Sequence, residues 1–336
     1  MALALMLASR SEFGVARELA ERVFALAQRL GEPGTLARAH HVLGLVRFHT
    51  GQFMSARKHL EPAIELFGAF PPGNWGGYGA YFARYAPIYL IGALVILGYP
   101  SSALRRAHEL LIAVGRASDP NSIAIELTAY LLAHLLVRDT RMVREKADEQ
   151  FSIAIEREMP FNKLAATFFR GWAMASAGAI DDGIADMRRY TSDPWVAEAP
   201  ATVHMLVALA ETYGKNRRAE EGLDLVARGV ATAEKTGVRA ADAELHRLKG
   251  ELLMIKEPGN VAEAECCLRT AIDVARRQSA RLFELRATVS LARLLRDTNR
   301  RDEARTMLSD IYNWFTEGFD TADRKDAKAL LDELAR

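Results

Sequence analysis

Cysteine is nearly missing from this chain: there are two, side by side, Cys266 and Cys267. Adjacent cysteines cannot close an ordinary disulfide loop, so nothing points to an oxidising compartment, and the pair reads as part of a buried helix face. Net charge is missing too. Forty-four basic residues against 43 acidic ones leave +1, which removes any global electrostatic case for nucleic acid or an anionic membrane. Long apolar runs are absent. Ile88–Tyr99 carries no charge but is only twelve residues long, too short to span a bilayer, and reads as a helix buried on most sides. Met1–Ala8 is apolar without a basic leader or a cleavage pattern, so no signal peptide is expected and the cytoplasm is the default compartment. No low-complexity segment or block of like charge marks a domain boundary.

Catalytic motifs are equally scarce. Gly214-Lys215-Asn216 lacks the leading glycine and the hydroxyl residue of a phosphate loop. His108-Glu109 opens a zinc-protease pattern, but Ile112 stands where the second histidine would be. Ser176 lacks the flanking glycines of a nucleophile elbow. His40 and His41 are successive helical residues that diverge by about 100° and cannot easily share a metal. The expectation is therefore no enzyme, no cofactor and no metal.

What is present is a repeat. Half the residues are apolar and 26% are charged, the balance of a folded chain. Ala16, Ala56, Ala103, Arg144, Gly183, Gly222, Ala264 and Ala304 align as the close-approach positions of successive second helices, at intervals of 40, 47, 41, 39, 39, 42 and 40. Arg144 fits worst. Turns precede most of them, as at Thr50-Gly51-Gln52, Leu97-Gly98-Tyr99, Ala177-Gly178-Ala179 and Thr298-Asn299-Arg300, where glycine or asparagine suits a helix end. A hairpin this thin cannot bury its apolar face alone and must stack on neighbours. The reading is one all-α domain over 1–336, with units near 1–30, 36–67, 89–116, 122–157, 163–190, 202–235, 243–277 and 283–313 and a cap over 321–335. Thr321 is expected to cap that last helix, with Asp323, Arg324, Lys325, Asp326 and Lys328 forming a solvated end. Pro62 is expected to kink its helix. The glycines and prolines of 70–87 argue against helix through residue 79. Trp75, Tyr78, Tyr81, Phe82 and Tyr85 crowd that segment, either as packing or as an aromatic lip.

Leu43-Gly44, Gly51, Ala56, Leu60 and Ala63, and again Gly171, Gly178 and Gly183, resemble the tetratricopeptide repeat, with a period longer than the usual roughly 34 residues. That implies an α-α superhelix of about eight hairpins with a capping helix. LHRLKGELL at 245–253, the stretch 262–297 and the Trp-Phe-Thr-Glu-Gly-Phe-Asp run within 311–334 are more specific. They resemble the C-terminal helical tail of bacterial signalling proteins that join a class III adenylate/guanylate cyclase or DNA-binding domain to a predicted ATPase module. The resemblance implies a regulatory sensor tail. It also implies that first helices line the concave face, which here carries Arg38, His41, Phe48, Tyr85, Phe168, Trp172, His204, Glu211, Arg247, Glu251, Arg286, Arg293 and Arg296. That face is aromatic in the middle and basic toward the end. Guanidinium forks suit a carboxylate-bearing peptide or protein segment, or a small effector; the same face also reads as ordinary solvated helix surface. Two other readings stay open. One is an enzyme with a site near 73–85. The other is a nucleic-acid regulator, since 276–301 holds eight arginines against two acids, although few aromatics interleave for base stacking.

Overall fold

The computed structural model describes residues 2–9, 12–69, 76–114, 120–194, 196 and 202–336; for 2, 5, 9, 76–84, 114 and 121 it describes the backbone only. Among the described residues there are seventeen α-helices and no strand. They are α1 (Ala2–Ser9), α2 (Phe13–Leu30), α3 (Pro33–His49), α4 (Phe53–Gly68), α5 (Gly76–Ile96), α6 (Pro100–Val114), α7 (Pro120–Leu136), α8 (Thr140–Glu156) and α9 (Pro160–Ser176). The second half holds α10 (Ile180–Thr191), α11 (Thr202–Lys215), α12 (Ala219–Thr236), α13 (Asp242–Lys256), α14 (Val261–Arg277), α15 (Arg281–Asp297), α16 (Arg301–Trp314) and α17 (Ala322–Leu334).

Consecutive helices pack in pairs, and each odd-numbered helix also packs on the next odd-numbered one. No two even-numbered helices make a comparable interface among the described residues. The odd helices are thus crowded together and the even ones splayed, which bends the stack with the odd helices inside. Each even helix places its fourth residue against its partner. In order these are Ala16, Ala56, Ala103, Val143, Gly183, Gly222, Ala264 and Ala304, all buried. Val143, and not the exposed Arg144, holds the position in α8. The one-residue correction brings the flanking intervals to 40 and 40. The closest approach is between α9 and α10. A Cβ on Gly171 would sit 2.6 Å from the Gly183 carbonyl oxygen, and one on Gly183 would sit 2.4 Å from that of Gly171.

Several of the hairpin turns share one geometry. At Gly98, Val95 and Leu94 carbonyls accept from the N–H groups of Gly98 and Tyr99; Arg138 and Asp139 repeat this with Leu135 and His134. The residue in the middle has positive φ: Gly51, Gly98 and Gly178, but also Arg138 (60°), Arg217 (57°) and Asn299 (62°). Glycine accepts that backbone freely, whereas an arginine there is held against a cost of about 1–2 kcal/mol.

One expectation about local structure changes. α5 begins at Gly76, so helix runs through Gly76, Gly77 and Gly79 and the third hairpin starts well before residue 89. α5 packs on α3, α4 and α7, and tertiary context can outweigh weak glycine propensity. Residues 70–75, including Trp75, and the side chains of Tyr78, Tyr81 and Phe82 lie outside the described residues. α4 runs through Pro62 without a break.

The array closes on itself between its third and last hairpins. α15 packs on α5, and the backbone N–H groups of Arg239 and Ala240 donate to the His49 carbonyl at 2.7 and 3.1 Å. The linker between α16 and α17 seals the joint. Trp314 packs on Tyr99 with ring centroids 5.9 Å apart, and Arg281 lies over its face. Glu317 accepts from the Ser102 N–H and Oγ–H, both at 2.9 Å, so a carboxylate 215 positions away caps the first turn of α6. Pro100 fits against Gly318, where any Cβ would sit 2.3 Å from its ring.

Candidate functional site

Closure of the array fills most of the concave face. His41, Phe48, Phe168, Trp172, Arg247 and Arg286 are all buried. Two adjoining cavities lie among the described residues there. The outer one, about 440 Å³, is walled by α11, α13, α15, α17 and the turn after α7. The inner one, about 100 Å³, is lined mainly by apolar groups from α3, α5, α7, α9, α11 and α15. Arg138, Glu211 and Arg286 belong to both walls.

The outer cavity is a charged vestibule. Arg138, Lys215, Arg247, Arg286 and Arg293 face Glu211, Glu251, Asp297, Asp323 and Asp326, five charges of each sign. Its floor is a chain of ion pairs. Arg247 bonds Glu244 at 2.7 and 3.0 Å and Glu251 at 2.8 Å. Arg286 reaches Glu244 at 3.1 Å and grips Asp323 with two bonds of 3.0 and 2.9 Å, while also donating to the Leu136 carbonyl. Arg138 bonds Asp323 at 2.7 Å and pairs with Glu211. The Ser290 hydroxyl donates to Glu251.

Burial would push the carboxyl groups of Glu211, Glu244 and Asp323 up, but the facing guanidiniums outweigh it. Arg138 and Lys215 hold Glu211 below the usual range, Arg247 and Arg286 do so for Glu244, and Arg138 and Arg286 for Asp323. All three stay ionised at neutral pH. Toward the opening the groups are freer: Lys215 is 57% exposed, and Arg293 is 45% exposed beside Asp326 at 2.5 Å.

The inner chamber carries Phe48, Ile88, Tyr89, Leu135, Trp172, Ala208 and Phe283, with His49 and His204 among them. Burial holds His49 at about 3 and His204 at about 4, so both are neutral. The Nδ1 of His49 and the Nε2 of His204 make no hydrogen bond to another protein group.

The residues singled out from sequence divide between these places. Phe48, Trp172 and His204 line the inner chamber; Arg247, Glu251 and Arg293 line the vestibule; Glu211 and Arg286 line both. Arg38 bonds Thr35 at 3.2 Å, Phe168 packs on Phe169 and Tyr190, and His41 sits near Tyr89, all away from the cavities. Tyr85 is half-buried on α5, and Arg296 is held by Asp297 and Glu333 at 2.8 and 3.0 Å.

The capping helix departs from expectation. Asp323 and Arg324 are each 3% exposed and do not form a solvated end. α17 turns that edge inward over α15, so Asp323 reaches the arginines and Arg324 lies 3.7 Å from the Tyr312 ring centre. Thr321 makes no side-chain cap; its hydroxyl donates to the Gly318 carbonyl at 2.7 Å.

Sequence reasoning missed Arg138, Lys215, Ser290, Asp323 and Asp326. Only Arg138 left a clear signal: the turn register 98, 138, 178 puts it where its neighbours carry glycine. Among the described residues no group of three or more His, Cys, Asp or Glu side chains could hold a metal, and no helix is long and apolar enough to cross a membrane. The arginines of 276–301 are largely engaged with acids, such as Arg276 with Glu284 and Arg300 with Glu265 and Glu303.

No family model and no curated protein matches the chain. Among solved structures, a Rap protein complexed with competence and sporulation factor is similar, with a TM-score of 0.61 at 12% identity over 90% of this chain and 77% of that one. Yeast Tom70 gives 0.47 at 14% identity over 96% of this chain, which spans only 58% of Tom70. The helix inventory and the first of these likenesses make the chain an all-α superhelix of the tetratricopeptide-like kind.

Proposed function

We propose that this chain is a non-catalytic regulatory binding module that takes a short peptide, the end of a protein chain or a small charged effector into the vestibule. The observation that carries the reading is the pairing of a filled concave face with one open, charge-balanced cavity of about 440 Å³. That volume lies within the roughly 300–1,000 Å³ typical of ligand pockets. A ligand with charges of both signs can meet Lys215 and Arg293 as well as Asp297 and Asp326 in the same cavity. The Rap protein of similar fold was crystallised with a factor bound, which is consistent with ligand capture on such a scaffold.

The module's wider setting follows the sequence resemblance: a cytoplasmic tail that regulates an ATPase or cyclase part. A class III cyclase or ATPase domain encoded in the same reading frame is the outcome expected from the neighbouring coding sequence. For the site itself, the probe is trialanine with free ends, titrated by calorimetry. Saturable binding is expected, and Lys215→Glu combined with Arg293→Glu should weaken it about tenfold or more with helix content unchanged. Indifference to the double reversal would remove the vestibule as the site. Nucleic acid is disfavoured by the internal pairing of the arginines, and a steep salt dependence of binding to an oligonucleotide would reinstate it.

A further inference from the structure

Across its ion-paired floor the vestibule adjoins a chamber that ordinary core packing does not account for. Protein interiors pack with few voids larger than a water molecule. Here about 100 Å³ remains in the middle of the inner helix layer, ringed by Tyr89, Trp172, Phe283 and Ile88. A dry apolar cavity of about 150 Å³ takes up benzene, so a chamber of this size matches a side chain such as that of leucine. Adjacency decides what enters it. Arg138, Glu211 and Arg286 stand in the walls of both cavities, so the inner chamber adjoins the charged groups that would hold a ligand's polar parts.

The walls differ in kind. The vestibule offers charges of both signs, and the chamber offers rings and branched chains. Two polar atoms in the chamber, His49 Nδ1 and His204 Nε2, make no hydrogen bond within the protein.

We infer that the inner chamber is a specificity pocket for one apolar side chain, of about leucine size, belonging to a short zwitterionic peptide whose charged groups sit in the vestibule. The inference rests on the vestibule being a binding site. It adds a requirement the charges alone do not make: the ligand has an apolar side chain within reach of its charges, and glycine- or alanine-only peptides bind as weak analogues. A longer segment lying along the groove finds no room, because the flanking concave residues are buried.

Ala208, on α11, lines the chamber and not the vestibule. Calorimetric titration with Leu-Ala-Ala, Ala-Leu-Ala, Ala-Ala-Leu and trialanine tests the pocket in the wild-type chain and in Ala208→Phe. At least one leucine peptide is expected to bind roughly tenfold tighter than trialanine or more, the scale on which apolar pockets discriminate methylene groups. Ala208→Phe should erase that preference and leave trialanine affinity unchanged. Helix content by circular dichroism reports whether the variant folds; if it does not, Ala208→Val makes the smaller change, with the preference expected to shrink. Equal binding of all four peptides overturns the pocket and leaves the vestibule standing. No binding of any tripeptide removes both.

Discussion

Asp323 is the residue on which the site's electrostatics turn. It accepts from Arg138 and Arg286 at once and is 3% exposed. Removing it leaves two guanidiniums facing each other with less acid between them, and breaking such a buried pair costs about 3–5 kcal/mol. Asp323→Ala should lower the denaturation midpoint accordingly, measured in urea at constant slope. A change below 1 kcal/mol would mean that the arginines find water instead.

The buried histidines make a second prediction. His41 and His49 are held at about 3 against an ordinary 6.5, because burial disfavours their charged forms. The unfolded chain therefore binds more protons than the folded one below pH 6.5. Stability is full above that value and falls as pH drops toward 3, by roughly 2 kcal/mol per histidine at pH 5. Asp242 works the other way between about 6 and 3.8, since burial raises its carboxyl to about 6, but it is one group against several buried histidines. His49→Phe should flatten the loss between pH 7 and pH 5 by about a quarter or less, because His204 and His59, both held at about 4, contribute on the same scale.

Half of this picture was readable at the residue level. Arg247, Arg286 and Glu211 could be placed on the inner face because helical spacing decides which side a residue takes. Their partners could not. Asp323 lies 37 positions from Arg286 and 185 from Arg138, and pairing across such distances depends on how the array curves, which spacing does not encode.

Element by element, each even helix needs a small residue where it crosses its partner. At Gly183 the space is gone: a Cβ would meet the Gly171 carbonyl at 2.4 Å and the Ala175 nitrogen at 2.6 Å. Both are backbone, so the helices must part. Gly183→Ala should cost about 1–3 kcal/mol. Gly14, in the first turn of α2, has nothing within 4 Å of its Cβ direction. Gly14→Ala should leave stability unchanged or raise it by up to about 1 kcal/mol. Paired melting curves check both signs. This level was the most legible from sequence, since the crossing positions recur about every forty residues and pinned most of the hairpins. The exceptions have local causes. At 143 a valine does the work of a small residue, and its neighbour Arg144 misled by one position. At 76–79 helix runs through glycines that propensity reads as loop.

For the whole molecule, closure between hairpins changes what a repeat array does. An open stack unfolds as a sum of neighbour interfaces and frays from its ends. Here Trp314, Glu317 and Gly318 lie against Tyr99, Ser102 and Pro100, so the last hairpin is tied to the third. Unfolding followed by tryptophan emission and by circular dichroism should coincide in one transition. Glu317→Ala, which removes the borrowed cap of α6, should cost about 1–2 kcal/mol and separate the two signals. Coincident curves in that variant would show that the joint is incidental. The Trp-Phe-Thr-Glu-Gly-Phe-Asp run, distinctive in the sequence, is the segment that makes this joint.

The borrowed cap has a mechanical corollary. A spring with loose ends widens by small twists shared along its length, whereas a clasped bracelet holds its bore until the clasp gives. A guest bulkier than the present hollow would therefore be felt at Glu317 and Ser102, in the clasp, and the release of those two hydrogen bonds would carry news of its arrival to the outer surface.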